Sequence, residues 1–293
     1  MTSLVRGKML RRILEQSQLS FLMEAHNAVS AKIAQEAGFE GIWASGLTIS
    51  TSLGLRDANE ASWSQIVEIV EHMADATDIP ILVDGDTGYG DFNNLRRLVR
   101  KLEDRGIAGV CIEDKLFPKT NSFVGEAQPL APIGEFCGAI RAVKDCQRCA
   151  EFVLVARVEA LVSGRSMSEA LERAEAYRDA GADAILIHSK KPSVTEILNF
   201  SELWKGGCPL IIVPTTYHTT PTETFRQMGI STVIWANHLM RASVNAMQQT
   251  ARLVWETESL SSIEGRIATL DEIFRLVDTE ELENAKKIYA TFL

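Results

Sequence analysis

The sequence predicts an α/β protein built as a (β/α)8 barrel of the TIM type. Short apolar runs alternate with longer amphipathic stretches along the 293 residues, a pattern typical of repeated strand and helix units in a parallel sheet. Eight such runs occur, whereas an open doubly wound sheet more often has about five or six strands. No linker, repeat or low-complexity tract divides the chain, and a barrel of about 250 residues commonly forms one domain.

The strands are predicted from short runs rich in β-branched residues. In chain order they are Phe21–Glu24, Gly41–Ala44, Ile79–Val83, Gly109–Ile112, Phe152–Ala156, Ala184–Ile187, Pro209–Val213 and Thr232–Trp235. Each is followed by a stretch with helical spacing of apolar residues. The predicted helices are Ala28–Ala37, Ser62–Ala74, Asn93–Arg105, Ile133–Lys144, Met167–Ala180, Val194–Trp204 and Thr222–Met228.

Several of these helices end at a glycine, as at Gly38 and Gly181, where a left-handed conformation closes the helix. A further helix is expected near the N-terminus. Beyond the eighth strand, two amphipathic segments, Arg241–Glu256 and Thr269–Tyr289, exceed what a barrel needs. We therefore predict a single barrel domain over residues 1–293 with a C-terminal helical extension at about 241–293; this extension is either an oligomerisation element or a simple cap.

Charge and composition exclude several classes of function. Thirty Lys and Arg against 39 Asp and Glu give a net charge of −9, so no basic surface is available for nucleic acid. No apolar run approaches the roughly 20 residues that span a bilayer, and the start of the chain lacks the apolar core of a signal peptide. The five scattered cysteines favour free thiols in a reducing compartment. We expect a soluble cytoplasmic protein with no nucleic-acid or membrane partner.

Polar side chains follow the predicted strands, at the barrel end where active sites are built. In strand order they are Glu24 and His26, Ser45 and Gly46, Asp84 and Asp86, Glu113 and Asp114, Arg157 and Glu159, His188 and Ser189, Thr215, and Asn237 and His238. The residues that open the strands are mostly apolar or glycine. This asymmetry predicts an enzyme.

Three carboxylates in this set suggest a metal site. Asp84 and Asp86 lie two positions apart, so their side chains point the same way from an extended strand end, and Glu113 follows the adjacent strand. Hard oxygen donors without His or Cys favour Mg²⁺. Alternatively, Asp84 and Asp86 only cap the following loop through backbone hydrogen bonds.

Opposite the carboxylates, Lys119, Arg157 and His188 suit an anionic small-molecule substrate that carries a carboxylate or a phosphate. Together with a magnesium ion, they indicate chemistry on phosphoryl or enolate oxygens. Two alternatives stay open: Arg157 forms an ion pair with Glu159 or another carboxylate, and His188 is a satisfied core histidine.

Six segments carry a resemblance that covers nearly the whole chain: GIWASGL at 41–47, DANEAS at 57–62, DGDTGYG at 84–90, EDKLFPKTNS at 113–122, ARVEA at 156–160 and IHSK at 187–190. They resemble the phosphoenolpyruvate mutase family of the isocitrate lyase superfamily. Isocitrate and methylisocitrate lyases carry a KKCGH-type segment with a catalytic cysteine where this chain has KTNS at 119–122. Phosphonopyruvate hydrolases tend to have threonine at the position of Asn121, so Asn121 favours a mutase.

The resemblance implies that the phosphoryl group of phosphoenolpyruvate moves from the enol oxygen to carbon three, giving phosphonopyruvate. It implies Asp57 as the nucleophile, although Asp57-Ala58-Asn59 could also be an ordinary Asx turn. Asp86 would bind Mg²⁺ directly, with Asp84 and Glu113 acting largely through water. Carried over in the same way, the substrate-binding residues are Trp43, Ser45, Gly46, Leu47 and Ser122. The further catalytic residues are Asn121, Arg157 and His188, which would grip the phosphoryl or carboxylate oxygens, and Lys119, which would help to close a gating loop at 115–130.

Two alternative enzymes remain: a phosphonopyruvate hydrolase and a lyase that cleaves a C–C bond of a 2-oxo or malate-like acid. A non-catalytic metabolite-binding barrel is a third possibility. The resemblance also implies a homotetramer of paired dimers that exchange the helix after strand eight. One departure from the family is Gly85, where animal members carry alanine. We expect that an alanine there would change little, because its side chain would point away from the site.

Overall fold

The computed structural model describes residues 1–122, 128–205 and 207–290, in two compact units, residues 1–237 and 238–293. In the first unit, eight parallel strands form a closed barrel in which each strand pairs with its neighbours in sequence and β1 pairs with β8. The predicted (β/α)8 barrel is therefore confirmed.

The strands lie close to their predicted positions. They are β1 (Ser20–Ala25), β2 (Gly41–Ala44), β3 (Ile81–Asp84), β4 (Gly109–Glu113), β5 (Val153–Val158), β6 (Ala184–Ile187), β7 (Leu210–Ile212) and β8 (Thr232–Trp235). β3 and β7 begin just after Pro80 and Pro209, which have no amide hydrogen to donate. Their carbonyl oxygens still accept hydrogen bonds, from Ile42 N at 2.9 Å and from Ile185 N at 3.0 Å.

The helices of the barrel unit also match the predictions to within a few residues. They are α1 (Ser3–Glu15), α2 (Ala28–Glu36), α3 (Gly46–Ser52), α4 (Trp63–Ala76), α5 (Phe92–Asp104), α6 (Ile133–Cys146), α7 (Met167–Asp179), α8 (Thr195–Leu203) and α9 (Thr222–Gln227). The sequence did not predict α3, which directly follows β2. Gly38 and Gly181 have φ angles of +96° and +112°, as their role in ending helices requires.

Side chains at the N-termini of several helices satisfy backbone N–H groups that have no partner within the helix. Asn27 and Ser62 each form a capping box, with Ser30 and Gln65 respectively. Such a cap typically stabilises a protein by about 1 kcal/mol. These local signals place the start of α2 and α4 independently of packing.

The core fills the barrel and is closed at the N-terminal ends of the strands by α1. Leu10, Ile13 and Leu14 of this helix belong to the same buried cluster as inward-facing strand residues such as Leu82 and Leu186. The Arg6 guanidinium, also on α1, is buried and donates to the carbonyl oxygen of Ala74 at 2.6 Å and to that of Gly106 at 3.3 Å. The opposite end of the barrel is therefore left for a functional site.

The second unit contains α10 (His238–Thr257), a short 3-10 helix (Glu264–Arg266), α11 (Leu270–Leu276) and α12 (Thr279–Tyr289). The amphipathic segment predicted over Thr269–Tyr289 contains two helices, because Asp278 adopts a left-handed φ of +53° and separates α11 from α12. Many large apolar side chains here are exposed, including Trp255, Val277 and Ile288. Among the described residues, no helix has both the length and the apolar character to cross a membrane.

Candidate active site

A cavity opens at the carboxyl ends of the barrel strands, with about 540 Å³ of empty space including its mouth. Residues from the ends of most strands line it, together with the loop that carries Asp57 and the segment 119–122. The predicted site residues among its lining are Trp43, Ser45, Leu47, Asp57, Asp84, Glu113, Lys119, Asn121, Ser122, Arg157 and His188. Gly46 and Asp86 lie behind this surface. The structure therefore brings the predicted residues into one place.

Asp57 is held by two side chains from the segment 119–122. Lys119 Nζ lies 2.7 Å from Asp57 Oδ1, and Asn121 Nδ2 donates to Asp57 Oδ2 at 2.5 Å. Burial by itself raises the pKa of Asp57, but the Lys119 charge and these hydrogen bonds outweigh it and leave the pKa below its ordinary value. Asp57 is thus an ionised, oriented carboxylate in the cavity, as a nucleophile must be.

The Lys119 ammonium group joins two carboxylates. It contacts Asp57 and also forms a close ion pair with Asp86. Burial opposes its charge, but the surrounding carboxylates, led by Asp86 and Asp57, raise the pKa of Lys119 well above its ordinary value. Lys119 is therefore a permanent cation. Its predicted part in closing a loop over 115–130 falls partly on residues 123–127, which lie outside the described residues.

Asp84 and Asp86 converge beside the backbone of Gly46. A Cβ atom at Gly46 would lie 3.0 Å from Asp86 Oδ1 and 3.3 Å from Asp84 Oδ2, so only glycine leaves this space open. Gly46 N also donates to Asp84 Oδ2 at 3.2 Å. Burial, opposed by the Lys119 charge and aided by the charges of Asp84, Asp57 and Glu113, raises the pKa of Asp86 to about 7.

The donor chemistry of this region fits a hard divalent cation. Asp84, Asp86 and Glu113 are buried and supply only oxygen, and Glu113 Oε1 has no hydrogen-bond partner, although it lies 3.8 Å from Lys115 Nζ. Within the residues that the structure describes, no group of three or more His, Cys, Asp or Glu side chains is arranged to enclose a metal ion. The donor atoms are therefore of the type that Mg²⁺ prefers, although these side chains do not form an enclosed site.

Arg157 and His188 lie on one side of the cavity and share one buried carboxylate, Glu159. Burial lowers the pKa of His188 below its ordinary value. Arg157 Nε pairs closely with Glu159, and Arg157 Nη2 lies 3.4 Å from Glu113 Oε2. His188 Nδ1 lies 2.7 Å from Glu159 Oε1. The ion pair considered as an alternative role for Arg157 is therefore present, yet Arg157 and His188 both still line the cavity.

Comparison with known proteins decides the family. A family model described as phosphoenolpyruvate phosphomutase matches residues 10–255. The chain belongs to the phosphoenolpyruvate phosphomutase family. It is 57% identical to the phosphoenolpyruvate phosphomutase of Tetrahymena pyriformis over 96% of this chain and 94% of that protein. The predicted resemblance and the prediction of an enzyme are thus confirmed.

Solved structures agree with this assignment. The crystal structure of the phosphoenolpyruvate phosphomutase from Streptomyces platensis subsp. rosaceus has a TM-score of 0.95 and 42% identity, covering 97% of this chain and 99% of that chain. A phosphonopyruvate hydrolase in complex with oxalate and Mg²⁺ has a TM-score of 0.92 and 35% identity, covering 99% and 100%. A phosphonopyruvate hydrolase, the activity that the sequence left open as an alternative, therefore has the same fold.

Several contributors to this phosphoenolpyruvate phosphomutase family site were missed by sequence reasoning. Asn59 donates from Nδ2 to Asp86 Oδ2 at 2.8 Å and accepts from Lys119 N at 2.7 Å, so it links both loops. The φ of Asn59 is +56°, a left-handed value that asparagine adopts more readily than most residues. Its position two residues after Asp57 was the one sequence feature that could have indicated a role in the site. Further lining residues that the sequence did not indicate are Lys115, Thr120, Val213 and Ala236. Thr215 and Asn237 also line the cavity, as their positions at strand ends predicted.

The expectation for Gly85 is only half right. A Cβ atom there would point toward the core, away from the cavity, but it would lie 2.5 Å from Val110 Cγ2 and 3.0 Å from Cys111 O. Because 2.5 Å is shorter than a normal contact, the Val110 side chain would have to shift, and Cys111 O leaves little room. An alanine at this position is therefore not neutral in this member of the phosphoenolpyruvate phosphomutase family.

Proposed function

We propose that this protein interconverts phosphoenolpyruvate and phosphonopyruvate by intramolecular phosphoryl transfer. The observation that carries the proposal is the ionised Asp57 carboxylate, held in the cavity between Lys119 Nζ at 2.7 Å and Asn121 Nδ2 at 2.5 Å. Arg157 and His188 line the same cavity, and the Arg157 guanidinium suits the phosphoryl and carboxylate oxygens of such a substrate.

In the direction from phosphonopyruvate, a carboxylate oxygen of Asp57 attacks phosphorus while the C–P bond breaks, and the electron pair stays on the pyruvate enolate. The enolate oxygen then attacks the same phosphorus, the bond to Asp57 breaks, and the carboxylate is regenerated. Lys119 and Asn121 orient Asp57, and Asn121 and Arg157 donate hydrogen bonds to the oxygens of the transferred group. Ser122 and His188 line the cavity beside them. The pyruvate enolate must not meet water before the return step, which the apolar lining residues Trp43, Leu47 and Val213 help to prevent.

Asp86 would hold a magnesium ion directly, with Asp84 and Glu113 contacting its bound water. When bound, this ion supplies a positive charge that stabilises the negative oxygens of the enolate and the substrate carboxylate. The backbone of Ser45, Gly46 and Leu47, at the start of α3, would hold the substrate at its carboxylate and enolate end.

A phosphonopyruvate hydrolase is the second candidate, because a protein of that name has the same fold at 35% identity. In that reaction water takes the phosphoryl group and the products are pyruvate and phosphate. Asn121 at the position beside Asp57 favours the mutase.

Phosphorus NMR of the purified protein with phosphonopyruvate and Mg²⁺ tests the proposal. We expect phosphoenolpyruvate to appear, since formation of the P–O bond from the C–P bond is the favourable direction. Pyruvate with inorganic phosphate would instead establish the hydrolase, and an unchanged spectrum would redirect the search to C–C lyase substrates. A parallel sample with EDTA should show no turnover until Mg²⁺ is restored.

The setting of the enzyme is part of the same proposal. We propose a cytoplasmic enzyme of phosphonate biosynthesis, supported by five free cysteines, that acts on a small molecule. We further propose that 1–293 is one barrel domain with a C-terminal extension, assembled as a homotetramer of paired dimers that exchange α10. The exposed Trp255 of α10, with 84% of its surface accessible, supports a role in assembly.

A further inference from the structure

Glu159 is buried at the end of β5 and does not line the cavity, yet it contacts four side chains that do. Its carboxylate has no exposed surface and forms a close ion pair with Arg157. It also lies 2.7 Å from His188 Nδ1 and 3.2 Å from Lys115 Nζ, and it accepts a hydrogen bond from Ser122 Oγ at 2.9 Å. These partners come from β5, from the end of β6 and from the segment 115–122.

The contacts among these partners are mutually consistent. Ser122 Oγ donates to Glu159 and accepts from Lys115 Nζ at 2.6 Å and from Arg157 Nη2 at 3.0 Å, which uses the full capacity of a hydroxyl group. The Arg157 and Lys115 charges would be costly to bury without a carboxylate between them. Glu113 lies 3.4 Å from Arg157 Nη2 and 3.8 Å from Lys115 Nζ, whereas Glu159 makes the shorter contacts with both. Glu159 therefore compensates much of this charge and fixes the side chains in one geometry.

The same carboxylate determines which nitrogen of His188 carries the proton. If Nδ1 were unprotonated, its lone pair would face a carboxylate oxygen at 2.7 Å, which is repulsive. Arg157 Nη2 also lies 3.0 Å from Nδ1, but the closer and anionic partner is Glu159. The imidazole is therefore held with hydrogen on Nδ1, and Nε2 is the basic nitrogen.

Glu159 is itself held by a second buried group. Asp114 Oδ1 accepts from the backbone N–H of Glu159 at 2.8 Å. Asp114 Oδ2 in turn accepts from Tyr177 Oη at 2.7 Å and from Arg173 Nη1 at 3.1 Å. This contact attaches the end of β5 to α7, so the position of Glu159 does not depend on a ligand.

We propose that Glu159 is a positioning residue of this enzyme, which aligns Arg157, Lys115 and Ser122 and holds His188 in its Nδ1–H form. This inference adds to the proposed function a residue that never touches the substrate. The consequence for catalysis rests on the proposed function, whereas the protonation state of His188 does not.

The first test uses wild-type protein labelled with ¹⁵N-histidine, with the His188 signals assigned by comparison with His188→Gln. At neutral pH, nitrogen NMR should show hydrogen on Nδ1. Hydrogen on Nε2 instead would overturn the proposal, whatever any variant does and whether or not the enzyme has the proposed activity.

The second test compares Glu159→Gln with Asp183→Asn. Asp183 is a largely buried carboxylate that pairs with Arg11 and Lys144 directly before β6, at the opposite end of the barrel.

In Glu159→Gln we expect a mixture of His188 tautomers and a fall in kcat of about 100-fold, the loss that a misplacement of about 1 Å can cause. Asp183→Asn should change neither readout. If folded Glu159→Gln keeps the wild-type kcat and the wild-type His188 tautomer, the proposal is overturned. If the wild-type protein shows no turnover, that result counts against the proposed function alone.

Discussion

Asn121 Nδ2 donates a hydrogen bond to Asp57 Oδ2 at 2.5 Å, across two loops that are far apart in the sequence. The Asn121 side-chain amide does not transfer its proton to Asp57, so it orients the Asp57 carboxylate and leaves it ionised. Lys119 contacts the other oxygen of the same carboxylate. The direction in which Asp57 faces the cavity is thus set by the segment 119–122.

Replacing Asn121 with alanine should reduce turnover and redirect some of the product. A hydrogen bond to a charged group contributes about 1.5–3 kcal/mol, which corresponds to a fall in kcat of roughly 10-fold to 100-fold. Water admitted beside Asp57 should also increase the share of pyruvate and phosphate, measured by phosphorus NMR. Asn199→Ala, at an exposed position on α8, serves as the control. Unchanged rate and product ratio in Asn121→Ala would contradict this role.

Asp57→Ala should abolish turnover and leave binding of phosphonopyruvate detectable by calorimetry. The nucleophile is lost, whereas Arg157, His188 and Ser122 still line the cavity. Asp57→Asn, which keeps the shape of the side chain, should be equally inactive if the carboxylate itself reacts. Substantial activity in either variant would argue against covalent participation of Asp57.

The stability contributed by Asp57 should depend on pH. Although burial raises the pKa of this group, Lys119 and Asn121 bring it below the ordinary value, so the carboxylate binds protons less readily in the folded protein. Its contribution is therefore fully present above the unfolded pKa of about 3.9 and is lost as the pH falls through the lower folded pKa. Urea titrations should show wild type more stable than Asp57→Asn at pH 7, with the gap narrowing below about pH 4. If the difference in the free energy of unfolding between wild type and Asp57→Asn does not change with pH, the charge of Asp57 contributes nothing to stability.

Gly85→Ala should destabilise the barrel by about 1–3 kcal/mol, because the new Cβ would overlap the adjacent strand. The contact at 2.5 Å is with Val110 Cγ2, so Val110→Ala in the same chain should recover part of the loss. Thermal unfolding of both single variants and of the double variant measures this coupling. Strict additivity of the two losses would mean that Val110 is not the obstacle.

The architecture could be predicted because its signals are local. Parallel strands buried on both faces appear as short apolar runs, and the glycines that end helices, such as Gly38 and Gly181, mark the spacing between them. The amphipathic pattern over Thr269–Tyr289 did not show where one helix ends and the next begins, which the left-handed backbone of Asp278 decides. The short helix α3 has a weak pattern, and it forms directly after β2, where Ser45 caps it.

From the order of its residues, this chain specifies eight strands, the helices between them and the polar residues at the strand ends, because periodicity and helix-ending signals act over a few positions. Only the tertiary structure placed Lys119 between Asp57 and Asp86, connected two loops through Asn59, and gave Glu159 its four partners. These contacts join residues distant in sequence. Their geometry depends on how the loops pack over the barrel, and no local pattern encodes that packing.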